Sequence, residues 1–401
     1  RDAHDTWRAL AARVFTGAPT LDRDNAQANF YALCRRANAY RSGARQLNDS
    51  QGGEVVRVFV MAAVKHDGWI LEVAGGALKK DREIVLAAVK QSGWALMFAD
   101  DSLKKDPEIV LVAVNQDGKV LIHADASLKK NYKIVLAAVK DNGDALRYAD
   151  DSLLKNPDIV LAAVTRNGDA LQFADDSLKK NYKIVLAAVR NHGEALQYAG
   201  ETLKKNPAIV LAAVTQNGWA LEYASVLLKK DREIVLVAVT DSGSALDYAD
   251  PKFKKDRDIV LAAVRNDGLA LEYASVLLKK DRDIVLVAVT GSGLALDYAD
   301  PEFKKDREIV LAAVKEDGEA LLYASASLKK DHEIVLAAVT QNGDALQWAD
   351  DTLKKNREIV LTAVIMDGVT LQYVDETLRN DPVVQLAAEA QLRSVPGLIR
   401  A

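Results

Sequence analysis

Residues Asp231 to Lys255 read DREIVLVAVTDSGSALDYADPKFKK, and this pattern returns every 25 residues along most of the chain. Glycine marks the period most plainly, standing at 68, 93, 118 and at each 25-residue step to 368 with no insertion. A second column lies twelve residues before each later glycine, from Asp81, Asp106 and Asn131 through Asp231 to Asp381, and holds only Asp or Asn. Such side chains accept hydrogen bonds from the free amides of a helix's first turn, so the column reads as an N-cap. Proline confirms the phase: Pro107, Pro157, Pro207 and Pro382 each follow a cap directly, where a missing N–H costs nothing.

A first helix is therefore expected from about Arg82 to Ser92, ended by Gly93 as a left-handed C′ residue, with Gly118 and Gly243 in the same role. Its Ile84, Val85, Leu86, Ala88 and Val89 recur almost unchanged, a face too broad for a surface helix. A shorter helix follows over Trp94 to Ala99. A second cap column, usually Asp or Ser as at Asp100 and Ser225, then opens one helical turn that carries Leu103 inward. A Lys-Lys pair closes the unit. Period-two alternation is missing and alanine is abundant, so strands are not expected. One such unit buries too little apolar surface to offset the entropy of ordering its backbone, so each must stack on its neighbours. The expectation is an all-α protein, an α-solenoid of about thirteen 25-residue helical repeats with helical caps.

The repeats occupy residues 56–381. Residues 1–55 hold eight arginines and no lysine and read as a helical cap or a docking segment; 382–401 read as a C-terminal capping helix. Residues 225–274 nearly match 275–324, a two-unit duplication that favours growth by copying modules.

The unit resembles the repeat of the domain-of-unknown-function 4116 family over about residues 56–381. The resemblance implies no reaction, no cofactor and no catalytic residue. It points towards algae, and so towards a chloroplast location. One specific expectation is a linker subunit of an algal photosystem–antenna assembly.

Composition narrows the rest. The chain has 53 basic and 57 acidic residues, a net charge of −4, which argues against a whole surface given to nucleic acid. Cys34 is the sole cysteine, so no intrachain disulfide forms, and a reducing compartment, chloroplast stroma or cytoplasm, is expected. No apolar run approaches a bilayer span, so membrane association would be peripheral, through a membrane complex. Arg1 in place of an initiator methionine leaves open a removed targeting peptide. No phosphate loop, dinucleotide fingerprint, zinc motif or serine-hydrolase elbow occurs, and the five histidines occupy different repeat positions. Catalytic, metal and cofactor residues are accordingly not assigned. Aspartate pairs such as Asp100-Asp101 read as caps, and the Lys-Lys ridge as a solvated edge with an anion track as the alternative.

Recurring columns build the core and variable ones the surface. The position after the glycine and the one three residues on share a helical face. There Trp69, Trp94, Met97 and Ile122 promise an apolar patch. A second candidate is Val226-Leu227 with Val276-Leu277, where other units usually carry Asp-Ser, Ala-Ser or Glu-Thr. Exposed apolar patches mark partner sites. The expected function is a non-catalytic scaffold binding proteins, because the uniform repeat carries no polar cluster suited to chemistry; a nucleic-acid-binding solenoid and a secreted effector with activity outside the repeats are the alternatives.

Overall fold

The computed structural model describes residue 57 and residues 60–394; Cys34 and the expected N-terminal cap lie outside the described residues. Among the described residues every element is helical and no strand occurs. The unit repeats as expected: a long α-helix, a six-residue helix and one short turn. In the first copy with all three parts these are Arg82–Gln91, Gly93–Phe98 and the turn that follows Asp100. The middle helix is of 3-10 type in every described unit. With three residues per turn, its positions i and i+3 eclipse and share one face.

The caps act as the sequence requires. Asp81 accepts from the amides of Glu83 and Ile84, Asp106 from Glu108 and Ile109, and Asp231 from Glu233 and Ile234. The glycines correct the expectation. Gly93, Gly118 and Gly243 take no left-handed backbone. Ser92, in extended conformation with φ of −146°, ends the long helix, and Gly93 opens the 3-10 helix. A side chain is forbidden there by crowding: a Cβ on Gly93 would stand 2.7 Å from the carbonyl oxygen of Ala113, in the next long helix. Gly118 meets Ala138, and Gly243 meets Ala263, in the same way. Glycine thus sets how closely one repeat seats on the next.

The chain divides into two units, Arg1–Arg166 and Asn167–Ala401. Within each, helices pack against their neighbours in sequence order. Ile84, Val85, Ala88, Val89, Ala95 and Leu96 are fully buried, as are most of their counterparts. Helix Pro382–Ser394 keeps the repeat register, with Asp381 as its cap and Val384 and Ala388 buried against Arg357–Met366.

Polar ties supplement this packing, and they join consecutive repeats. The amide of Gly93 donates to Gln116 Oε1 at 2.7 Å, and that of Gly243 to Asn266 Oδ1 at 2.8 Å. The amide of Asp100 donates to the Lys79 carbonyl at 3.0 Å. Partners 21 to 23 residues apart in sequence belong to adjacent layers, so each layer's polar groups are satisfied by the next one.

Candidate partner-binding surface

The first patch expected from sequence is only partly a surface. Trp69, Met97 and Ile122 are exposed. Trp94 is half-buried: its Nε1 donates to Asp117 Oδ2 at 2.9 Å, and its ring meets the edge of His123 at 5.6 Å. Trp69 stacks edge-on against Phe98 one repeat ahead, also at 5.6 Å. Trp219 against Tyr248 repeats the arrangement. These tryptophans therefore serve inter-repeat packing, with aromatic geometry of the favourable T-shaped kind. The tyrosine column behaves likewise. Burial pushes the Tyr248 and Tyr298 phenols up, and Lys254 and Lys304 lie over the rings of Tyr273 and Tyr323.

Most of the lysine ridge is paired. In some pairs the first lysine satisfies the end of the 3-10 helix, Lys79 donating to the Glu72 carbonyl and Lys129 to that of Ile122, each at 2.8 Å; in others it pairs with a nearby carboxylate, as Lys254 does with Asp247 at 3.0 Å. The second pairs with the cap aspartate twenty residues on: Lys80 with Asp100 at 3.8 Å, Lys130 with Asp150 at 3.7 Å, Lys280 with Asp300 at 3.6 Å. Hydrogen bonds from the Ser102 hydroxyl and amide hold the Asp100 carboxyl below its ordinary range, as befits a cap. Its neighbour Asp101 faces solvent and pairs with Lys104 at 3.1 Å.

One Asp–His contact invites a catalytic reading. His192 Nδ1 lies 2.8 Å from Asp169 Oδ1. The same register holds Asn217 to Glu194 at 2.8 Å and Ser244 to Asp267 at 3.0 Å. The contact is thus a variable inter-repeat tie in which histidine takes one turn. Among the described residues no group of His, Cys, Asp or Glu could hold a metal ion, and no helix is long and apolar enough to cross a membrane.

The second candidate is a surface. Val226, Leu227, Val276 and Leu277 are 73%, 72%, 71% and 76% exposed, the highest values among the large apolar side chains described. Their turns stand two repeats apart within the second unit, with Pro251-Lys252 in the turn between. Beneath them Leu228 and Leu278 point inward, Leu228 fully and Leu278 nearly so. Sequence reasoning found these residues as departures from a polar column. It missed what lies under them: the hydroxyls of Ser225 and Ser275 are buried without a hydrogen-bond partner. Where Ser or Thr stands two residues after a cap aspartate, the cap oxygen receives its amide and hydroxyl, as Asp100 does from Ser102 and Asp350 from Thr352. With leucine at that position, no hydroxyl is on offer.

A family model described as a domain of unknown function, DUF4116, matches residues 59–104, 83–129, 106–154, 156–204, 206–254, 256–304 and 306–354. Each match spans about two of the 25-residue units. No curated protein and no solved structure matches the chain.

Proposed function

Since the chain belongs to the DUF4116 family, whose description assigns no reaction, we propose that it is a non-catalytic scaffold, an α-solenoid that binds other proteins along a repeated surface. The observation that carries this reading is the doubled Val-Leu pair, four large apolar side chains exposed at positions that other units fill with small or polar residues or proline. Leaving such groups in water forfeits about 1.5–3 kcal/mol of burial each, so their gain must come from a covering partner. The framework suits the task. Ties between consecutive repeats hold the turns at fixed spacing, and a copied module presents the same contact twice. Pairing of the lysine ridge with cap aspartates argues against a nucleic-acid track, because a compensated cation releases few counterions.

The test compares the full chain with a Val226→Ser, Leu227→Ser, Val276→Ser, Leu277→Ser variant in native extract. Size-exclusion chromatography should place the parent in a larger assembly and the variant at monomer size with unchanged circular dichroism. A parent eluting as a monomer, or an assembly indifferent to the four changes, would overturn the reading. Its narrower form, a linker between a photosystem and its antenna, is supported if that assembly co-migrates with thylakoid complexes and is lost if it does not.

A further inference from the structure

Two turns differ from the rest in three ways at once. The cap is serine in place of aspartate, the next two residues are Val-Leu, and the serine hydroxyl is buried without a partner. The first difference changes the charge of the surface. Where an aspartate stands twenty residues on, the second lysine of a pair meets it, as Lys230 meets Asp250 at 3.8 Å and Lys330 meets Asp350 at 3.7 Å. The register sets Ser225 and Ser275 opposite Lys205 and Lys255, as it sets Gly200 opposite Lys180, and none of these three lysines forms an ion pair; only at the two serines does a Val-Leu pair follow. Lys205 and Lys255 are exposed. Lys305 also faces a serine, Ser325, but turns back to Glu302 at 2.9 Å. Each Val-Leu pair is thus accompanied by a lysine whose carboxylate has been removed from the chain itself.

We propose that this row receives an acidic amphipathic helix of a partner protein, whose apolar face covers Val226, Leu227, Val276 and Leu277 and whose carboxylates pair with Lys205 and Lys255. The proposal rests on the scaffold reading and names the chemistry of its partner. Charge selects it: a purely apolar partner would strip water from two cations and return nothing, and an uncompensated buried charge is strongly unfavourable. The missing aspartates leave the place of two carboxylates to be filled from outside.

Spacing selects a helix. Layers of packed helices repeat at about 8–10 Å, which puts the two pairs roughly 16–20 Å apart. A helix rising about 1.5 Å per residue covers that distance in about 11–13 residues. Three or so turns return the chain to the same face, so both apolar contacts fall on one stripe. Glu201 and Glu302 flank the row, exposed, in the turns before and after it. Each pairs with a lysine of its own turn, Lys204 and Lys305.

The experiment uses the full chain and three fluorescent helical peptides of about 20 residues, each with leucine stripes spaced by about three turns. They carry glutamate, glutamine or lysine beside the stripe. Fluorescence anisotropy should show the glutamate peptide binding about tenfold more tightly than the glutamine peptide, with the difference shrinking as salt rises. Leu227→Ser with Leu277→Ser should weaken it by about tenfold or more. Lys205→Glu with Lys255→Glu should reverse the preference towards the lysine peptide. Equal binding of all three peptides, or a preference untouched by the lysine reversals, overturns the proposal. So does co-sedimentation of the chain with phosphatidylserine vesicles in the absence of peptide binding. If the native assembly depends on the Val-Leu pairs while the lysine reversals leave it intact, the scaffold reading stands and the acidic helix falls.

Discussion

Arg82 reaches across one repeat to the next helix cap, its Nε 2.7 Å from Asp106 Oδ2 while its Nη2 bonds Glu108. Arg57 does the same with Asp81 and Glu83, Arg257 with Asp281 and Asp283, and Arg307 with Asp331 and Glu333. The relationship explains why the cap column mixes two residues. Where the preceding long helix begins with arginine, the next cap is aspartate. Where it begins with Pro107, Tyr132, Pro157, Tyr182 or His332, the next cap is Asn131, Asn156, Asn181, Asn206 or Asn356. Pro207 followed by Asp231 is the one departure. Asparagine caps as well as aspartate does. Only aspartate can also answer a guanidinium.

A substitution pair separates these two duties. Asp106→Ala removes cap and ion pair together and should lower stability by about 1 kcal/mol or more. Asp106→Asn keeps the cap and loses only an exposed ion pair, so its effect should be distinctly smaller. Thermal unfolding of the two variants beside the parent measures the difference; equal losses would mean that the cap contributes nothing.

Acid should act unevenly on the same column. Burial raises the Asp106 carboxyl, and its bonds to Arg82 and to the Ile109 and Glu108 amides outweigh that, leaving it below its ordinary value. Asp81 and Asp331 are placed alike, and Asp281 is lowered chiefly by Arg257. A carboxyl depressed in the folded state adds stability above its unfolded value of about 3.9 and loses it as pH falls through the folded one. Asn131 does not titrate. Hydrogen exchange, corrected for intrinsic rates, should therefore show the Glu108 and Ile109 amides losing protection below about pH 4 before those of Lys133 and Ile134. Simultaneous loss would contradict the assignment.

The glycine column makes a sharper claim. Gly118→Ala drives a Cβ into the backbone of Ala138 and should cost about 1–3 kcal/mol. Gly76, also glycine, has nothing within 4 Å of an added Cβ and lies in the short helix Gly76–Lys79. Gly76→Ala should be neutral or stabilising by up to about 1 kcal/mol. Urea midpoints decide; a tolerant Gly118 would mean that the layers are not so closely seated.

These cases show which features a sequence displays. Asp81 and its copies were legible because a cap works within three residues of itself. Gly93 was recognised as special for the wrong local reason, since the atom that excludes its side chain belongs to Ala113, twenty residues on. Trp94 looked like surface because its tie to Asp117 crosses a repeat. The lysine partners were hidden in the same way. Val226 and Leu227 were legible because, with Val276 and Leu277, they set two large apolar residues where none of the eleven other copies does, a contrast that needs no distant contact.

The Val-Leu turns yield the last prediction, which sets stability against binding. Ser225→Asp with Leu227→Ser rebuilds the turn that begins at Asp100. The new carboxylate would accept from the amide and hydroxyl at 227, as Asp100 does from Ser102 at 3.0 and 2.7 Å. It would also stand where Lys205 can pair with it, as Lys80 does with Asp100. The buried, partnerless hydroxyl of Ser225 disappears. The cap alone is worth about 1 kcal/mol, so the variant should melt above the parent. The same two changes remove one exposed leucine and neutralise the lysine that a partner's carboxylate would use, so the assembly should weaken. A variant both more stable and less able to assemble identifies a turn shaped for a partner. One that is less stable, or that assembles as before, shows that serine and leucine are there for the fold.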